Sequence, residues 1–329
     1  MTIVISKKHF ILIAIALITV LFVVFWRYLP VEVAGHRPGN IPMLIFYIGF
    51  ISATATMIFI GFLIVIIKWD FVRSQFYLFA RFRHLLKLMI KRDFVSRYRR
   101  SVLGILWSLL NPVLTMLVLT MVFSMLFRFD IPNFPVYLLS GQLMFNFFSE
   151  STNSAMLSIT SGAGTIKKVY VPKYIFPLSR VISALVNVGF SFAAFLIVFI
   201  FTGESFRLTL LFVPIPMIYL LVFSVGVGFF LSAASVFFRD LTYIWGVFLT
   251  LLMFLTPIMY PVSILPDRVF HLIHLNPMFH YVSYFRELAL NGNVPGLWEN
   301  VICIGFAIAA LGVGLYVKMT QQDKYILYL

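Results

Sequence analysis

Charged side chains are scarce in this sequence, and cysteine is nearly absent. Aspartate, glutamate, lysine and arginine make up 11% of the 329 residues, less than half the share usual in soluble domains. The one cysteine, Cys303, lies inside a long apolar run, where it predicts packing and neither a disulfide framework nor a cysteine metal site. With 62% hydrophobic residues, the composition excludes an ordinary soluble domain and indicates a protein that crosses a membrane several times.

Acidic residues are the rarer charge, so the formal net charge is +14. An excess of this size is also found in nucleic-acid-binding proteins. Here, however, the basic residues border apolar runs and do not cover one folded face. This distribution argues against nucleic acid and predicts basic segments beside a membrane.

Eight apolar runs are long enough to span a bilayer, which takes about 20 residues. Seven contain no charged residue, and the eighth, 134–159, contains only Glu150. The first run follows Lys7 and Lys8, but no small-residue cleavage site follows it, so we expect an uncleaved span. The seven charge-free runs are 9–26, 38–67, 101–127, 181–203, 208–238, 241–266 and 300–317.

The basic residues also predict the orientation. Eight spans place both termini on one side, and cytoplasmic loops carry the excess of lysine and arginine. With both termini in the cytoplasm, nineteen of the basic residues lie on the inner side and six on the outer side. We therefore expect cytoplasmic termini. Because the spans hold almost no ionisable groups, the sequence favours an outside source of energy over an internal ion relay.

Residues 71–100 predict an amphipathic helix. At helical spacing, one arc holds the apolar residues Phe79, Phe82, Leu86, Met89 and Ile90. Arg81, His84, Lys87 and Lys91 lie away from that arc. We expect the helix to lie in the headgroup plane with its apolar side toward lipid. The alternative is an ordinary basic segment beside the membrane.

This segment runs directly into "RYRRSVLGILWSLLNP", in which three arginines precede a span. The surrounding sequence closely resembles the permease subunits of type-2 ABC exporters that export polysaccharides such as O-antigen and teichoic acid. The resemblance extends from about residue 75 to the C-terminus. It is carried here by Asp93, Tyr98, Arg99, Ser101, Leu103, Gly104 and Trp107.

The resemblance implies an all-α polytopic membrane protein of about eight spans, two plus six, in the bacterial cytoplasmic membrane. Residues 1–70 are predicted as an accessory hairpin, 71–100 as the interface helix and 101–329 as a six-span permease domain. It also implies a second permease copy and two ATPase subunits, which bind the ATP and Mg. This chain itself has no Walker motif, because "GTIKK" lacks the phosphate-loop spacing. We predict no catalytic residue, cofactor or metal in this chain.

Two inner loops are similar to the ATPase-contacting segments of the family. In 161–180 the matching residues are Lys168, Tyr170, Pro172, Lys173 and Tyr174, and the alternative is a simple basic loop. In 237–245 they are Arg239 and Asp240, and the alternative is a helix cap and anchor. At the membrane border, Arg97, Tyr98, Arg99, Arg100 and Ser101 are expected either to anchor the helix or to bind the phosphate of a lipid-linked polysaccharide.

Span 134–159 carries a polar stripe at helical spacing, made of Asn146, Glu150, Asn153, Ser154 and Ser158. Such a stripe either lines a polar conduit or joins neighbouring helices. Aromatic faces beside polar groups suit carbohydrate. The expected glycan pathway comprises Trp107, Tyr137, Phe147, Glu150, Asn153, Tyr243, Trp245 and Tyr260.

The outer segment 260–296 predicts two short helices that dip back toward the membrane, begun by Asp267 and by Asn276-Pro277. Arg286 and Glu287 are expected to form an ion pair. Two other functions stay open. A membrane-embedded glycan-modifying enzyme would use the outer group Asp267, His271, His274 and His280. An ion-coupled flippase would depend on Glu150.

Overall fold

A computed structural model describes residues 69–99, 103–126, 131–168, 171–265 and 273–321. The chain divides into two compact units, Met1–Tyr77 and Leu78–Leu329. Of the first unit, only Trp69–Tyr77 is described, and it is helical. The predicted spans 9–26 and 38–67 lie outside the described residues, so the accessory hairpin stays a prediction.

All regular structure in these described ranges is helical, which confirms the all-α prediction. The ten α-helices are α1 (Trp69–Tyr98), α2 (Leu106–Leu126), α3 (Phe134–Met156), α4 (Ser158–Ser161), α5 (Ala163–Ile166), α6 (Ile175–Phe201), α7 (Pro214–Phe237), α8 (Leu241–Leu255), α9 (Pro277–Arg286) and α10 (Leu297–Gln321). Short 3-10 turns occupy Leu208–Phe212 and Val262–Ile264, and a π-turn, Glu287–Asn291, continues α9.

Four segments of the described chain are long and apolar enough to cross a membrane, and the chain is a multi-pass membrane protein. They are Leu106–Phe123, Ile175–Phe201, Leu208–Phe237 and Leu297–Lys318. Helix α3 has 23 residues and coincides with the more polar predicted span 134–159.

Helix α8 differs from its prediction, because the apolar run 241–266 continues well beyond the end of the helix. The helix ends at Leu255, and Thr256 has an extended backbone with ψ 127°. Pro257 follows, and the residue before a proline is disfavoured in the helical conformation. A proline inside the apolar run therefore shortens the helix.

The main core surrounds α3, which packs on α6 and α7. Phe147, Phe148, Phe195 and Phe285 are among its largest fully buried side chains. Helix α9 also packs into this core. It begins at Asn276-Pro277, as predicted: the Asn276 side chain accepts a hydrogen bond from the Met278 amide at 2.9 Å.

The amphipathic helix α1 lies partly on protein. Leu86 and Met89, from the predicted lipid-facing arc, are each 7% exposed. They share a second apolar cluster with Ile166, Val171 and Phe176 of the following loops and helices. The apolar arc of α1, which the sequence pattern predicted to face lipid, therefore packs partly on these protein residues. His84, Lys87 and Lys91 are exposed, which agrees with the amphipathic pattern.

Candidate functional site

A polar pocket of about 530 Å³ lies where α1 meets the ends of α3 and α6. Helix α1 contributes its last turns, and the remaining lining comes from α3, α4 and α6. The charged lining residues are Arg92, Asp93, Arg97, Glu150 and Arg180, and most of the others are serines. Positive and negative side chains therefore face one another in a space that is open to water.

Asp93 joins α1 to α6. Its Oδ2 lies 3.0 Å from an Nη of Arg180 and also accepts a hydrogen bond from the Ser183 hydroxyl at 3.5 Å. The Asp93 side chain is 11% exposed and that of Arg180 is 30% exposed. Arg92 also approaches Asp93, at 3.7 Å, but its side chain is largely exposed.

Glu150 joins α3 to both α1 and α6. One of its carboxylate oxygens pairs with the guanidinium of Arg97 and accepts a hydrogen bond from the Asn187 amide at 2.7 Å. The Tyr98 hydroxyl donates to the Asn187 side-chain oxygen at 3.3 Å and is hydrogen-bonded to Ser108 of α2. Four helices therefore meet in one connected set of polar contacts.

Arg180 and Asn187, which make contacts between helices here, had no site role predicted from sequence, and neither had Arg92, Ser108 or Ser183. Arg180 contributed only its charge to the orientation argument, and Asn187 was one polar residue within the run 181–203. The signal for Asn187 was present: it is the one asparagine in that apolar run, and a polar side chain inside a span needs a partner.

The five border residues do not all have the same surroundings. Arg97 and Tyr98 contact other helices within the protein. Arg99 is exposed. Arg100 and Ser101 lie outside the described residues. The anchoring interpretation thus has observed contacts at two positions, and the exposed Arg99 is open to an anionic headgroup.

Residues matched to ATPase-contacting segments lie mostly at the surface. Lys168, Arg239 and Asp240 are exposed, and Pro172 and Lys173 are partly exposed. Asp240 precedes α8 without a side-chain cap hydrogen bond. Tyr174 is buried, and its ring centre lies 4.1 Å from the Lys318 ammonium. That ring is therefore packed inside the protein and is not open to a partner subunit, and Tyr170 lies outside the described residues.

The residues predicted to form a glycan pathway differ in burial, and not all of them lie at a surface. Trp107 and Tyr243 are exposed, whereas Phe147 is 1% exposed in the main core. Trp245 packs edge-on against Phe148, and Asn153 is partly exposed. Tyr137 and Tyr260 are brought together, because the Tyr137 hydroxyl donates to the Tyr260 carbonyl at 2.9 Å.

A buried arginine, Arg286, lies beside Tyr137. Its role in holding several segments together through hydrogen bonds was not predicted from the sequence. It donates to the backbone oxygens of Pro257 at 2.6 Å, Tyr137 at 3.1 Å and Ile258 at 3.2 Å, and to the Ser140 hydroxyl at 3.1 Å. Its guanidinium carbon lies 3.5 Å from the Tyr137 ring centre. The predicted ion pair with Glu287 is wrong.

Glu287 instead accepts a hydrogen bond from the side chain of Asn291 at 2.9 Å.

The outer histidines offer little to catalysis in the part that is described. The His280 ring nitrogen lies 2.8 Å from the His274 carbonyl oxygen, while Asp267 and His271 lie outside the described residues. Within the described ranges, no group of three histidine, cysteine or acidic side chains is placed to hold a metal ion.

Comparison with known proteins places these features in a family. A profile of the ABC-2 type transporter family matches residues 84–290. RfbA of Myxococcus xanthus, an O-antigen export system permease protein, is 32% identical over 247 residues, which cover 74% of this chain and 95% of the relative. The polysialic acid transport protein KpsM of Escherichia coli is 27% identical over 241 residues, which cover 70% of this chain and 91% of KpsM.

A second O-antigen export system permease protein RfbA, from Klebsiella pneumoniae, is 30% identical over 249 residues, with 74% and 95% of the two chains covered. The matched profile includes the second half of α1, the polar pocket and α9. The resemblance to type-2 ABC permeases is therefore confirmed, and the chain belongs to the ABC-2 type transporter family.

Proposed function

We propose that this chain is the membrane-spanning permease subunit of an ATP-driven transporter that exports a polysaccharide or lipid-linked glycan across the bacterial cytoplasmic membrane. One observation carries the proposal: two permease proteins named for O-antigen export align with this chain over 95% of their lengths. The aligned chains are transport permeases, so enzymatic chemistry is not expected of this chain.

We propose that the subunit that hydrolyses ATP docks on the two inner loops. Ile166 of the first loop and Val236 beside the second belong to one apolar cluster, which brings the two loops to the same end of the molecule. The exposed Lys168, Arg239 and Asp240 therefore suit a single docking surface. We assign this end to the cytoplasm because the positive-inside count puts both termini there.

In the proposed complex, two copies of this chain pair with two ATPase subunits. The ATPase subunits bind ATP and Mg and supply the chemical energy. This chain receives the resulting movement at its two loops, and α1, which packs on the first loop, passes it on. Helices α2 and α8 have exposed faces that are largely apolar. Their exposed side chains include Val118 and Met121 of α2 and Tyr243 and Val247 of α8. Such faces suit lipid or the second copy.

Co-purification and transport test this function together. The tagged full-length chain is expected to carry an ATPase subunit through affinity purification from its native membrane. Proteoliposomes of that complex are expected to move lipid-linked glycan only with hydrolysable ATP. If the chain alone moved glycan without nucleotide, for example under an ion gradient, the proposal would be overturned and an ion-coupled flippase would be favoured.

Charge reversal at the two loops is expected to weaken ATPase docking. In the double variant Lys168→Glu with Arg239→Glu, ATPase recovery should fall about tenfold, because two rim charges at one interface turn repulsive. Arg83→Glu with Lys87→Glu, two exposed reversals on α1 outside both loops, is the charge-matched control and should retain normal recovery. Quantitative immunoblotting of the eluted complex measures both. Equal recovery for both variants would exclude docking at these loops.

A further inference from the structure

The polar pocket fastens α1 at two points of opposite polarity. Asp93 presents a carboxylate to Arg180 of α6, while Arg97 presents a guanidinium to Glu150 of α3. Asp93 and Arg97 are four residues apart, so they lie one turn apart on the same face of α1. Asp93 and Arg97 do not pair with each other: apart from the exposed Arg92 beside Asp93, each pairs with a different helix of the permease domain.

The other part of α1 is attached to the loop that we propose as the ATPase contact. Leu86 and Met89 are buried in the cluster that contains Ile166 and Val171. A single helix therefore reaches from the loop region to the ends of α3 and α6. Because a helix is stiff over this distance, a movement of the loop region would reach the two ion pairs.

The two ion pairs are suited to opening and closing. Arg97 is 47% exposed and Glu150 is 31% exposed, and ion pairs that remain in contact with water add little stability. The Asp93 pair is more enclosed, with side chains that are 11% and 30% exposed. A fully buried pair would instead hold one fixed arrangement, since separating it leaves uncompensated charge.

We propose that Asp93–Arg180 and Arg97–Glu150 form a reversible latch that positions α1 and couples ATP turnover to glycan movement. This inference rests on the proposed function and deepens it. Glu150 is then a positioning residue, neither a proton carrier nor a cargo contact. Each transport cycle releases and remakes the pairs as α1 shifts against α3 and α6.

Charge-removing variants test the latch in the complete complex. Asp93→Asn and Glu150→Gln are expected to lower the glycan exported per ATP hydrolysed by about tenfold, within the range usual for coupling between sites. The ATPase rate itself should persist. Arg83→Gln, an exposed change on the same helix, should retain the normal ratio. An unchanged ratio in Asp93→Asn and Glu150→Gln would refute the latch.

Exchange variants separate positioning from other roles. Asp93→Arg with Arg180→Asp, and Arg97→Glu with Glu150→Arg, restore the pairs with reversed polarity and should recover most of the lost coupling. Arg180→Lys keeps the charge and should remain coupled. Recovery is scored only against the amount of complex that elutes as a single species in gel filtration. Correctly assembled exchange variants that stay uncoupled would contradict the proposal.

Different results would disprove the proposed function and the latch. If the unmodified chain recovers no ATPase subunit and moves glycan without ATP, the proposed function is wrong. If the unmodified complex is coupled and every latch variant is equally coupled, the function stands and the latch is wrong. A Glu150 that tolerates exchange with Arg97 also excludes the ion-relay role, because arginine does not release its proton.

Discussion

Substituting methionine for Arg286 is expected to cost about 3–6 kcal/mol of folding free energy. Each hydrogen bond donated by a charged group contributes about 1.5–3 kcal/mol, and the sum over the four acceptors is partly offset because a buried charge is removed as well. The guanidinium supplies donors to three backbone carbonyls and the Ser140 hydroxyl. Two of those carbonyls, Pro257 and Ile258, follow the end of α8, where the chain has left the helix. Methionine fills a similar volume but donates no hydrogen bond.

The measurement is the thermal unfolding midpoint of the detergent-solubilised protein, together with the yield of monodisperse chain. Arg286→Lys should be intermediate, because an ammonium cannot reproduce the planar fork of donors. Arg239→Met is the matched control, since Arg239 is exposed, and it should change stability by no more than about 0.5 kcal/mol. Equal midpoints for Arg286→Met and Arg239→Met would show that the buried arginine is dispensable.

Much of the helical pattern follows from hydrophobicity alone. The predicted run 208–238 contains the 3-10 turn and α7, and the run 101–127 contains α2. These agreements arise because a span must satisfy its backbone internally, so a long apolar run has few alternatives to a helix. The errors arise where a second effect acts. Proline ends α8 early, and α6 begins at Ile175, before the charged Arg180 at which the run was cut.

The site was less accessible to sequence reasoning than the helices. Asp93, Arg97 and Glu150 were all singled out, but the pairing of Arg97 with Glu150 was not predicted, and neither was a role for Arg180. Residue type indicates that a charge near the membrane needs compensation, yet it does not say which helix supplies it. Arg97 and Glu150 are 53 positions apart in the sequence. Their meeting depends on how α1 lies across the ends of α3 and α6, which a periodicity cannot specify.

The two arginine centres show how environment divides their roles. Arg286 is buried and surrounded by fixed carbonyl oxygens, so its contacts favour one arrangement of α3, α8 and α9. Arg97 and Arg180 face a water-accessible pocket and pair with carboxylates on other helices. A transporter needs both kinds of contact, because some helices must stay together while others change neighbours. The structure places the more exposed contacts at α1.

Alanine at Gly314 is expected to destabilise the protein by about 1–3 kcal/mol or more, the usual cost of overfilling a packed site. Gly314 of α10 lies against Gly226 of α7. A Cβ built at Gly314 would lie 2.1 Å from the Gly226 carbonyl oxygen, and one built at Gly226 would lie 2.3 Å from the backbone of Ala310. Backbone atoms cannot rotate away as a side chain can, so the helices would have to separate.

The unfolding midpoint in detergent again measures the effect, and Gly246→Ala provides the matched control. Gly246 is also helical, and its ideal Cβ has no neighbour within 4 Å among the described residues. Alanine there should be neutral or stabilising, since glycine costs about 1 kcal/mol relative to alanine in a helix. Opposite signs for the same substitution would isolate interhelical contact as the cause. If Gly314→Ala were as stable as Gly246→Ala, α7 and α10 would not be in backbone contact. Small residues allow membrane helices to approach closely, and that result would contradict such an approach of α7 and α10 at Gly226 and Gly314.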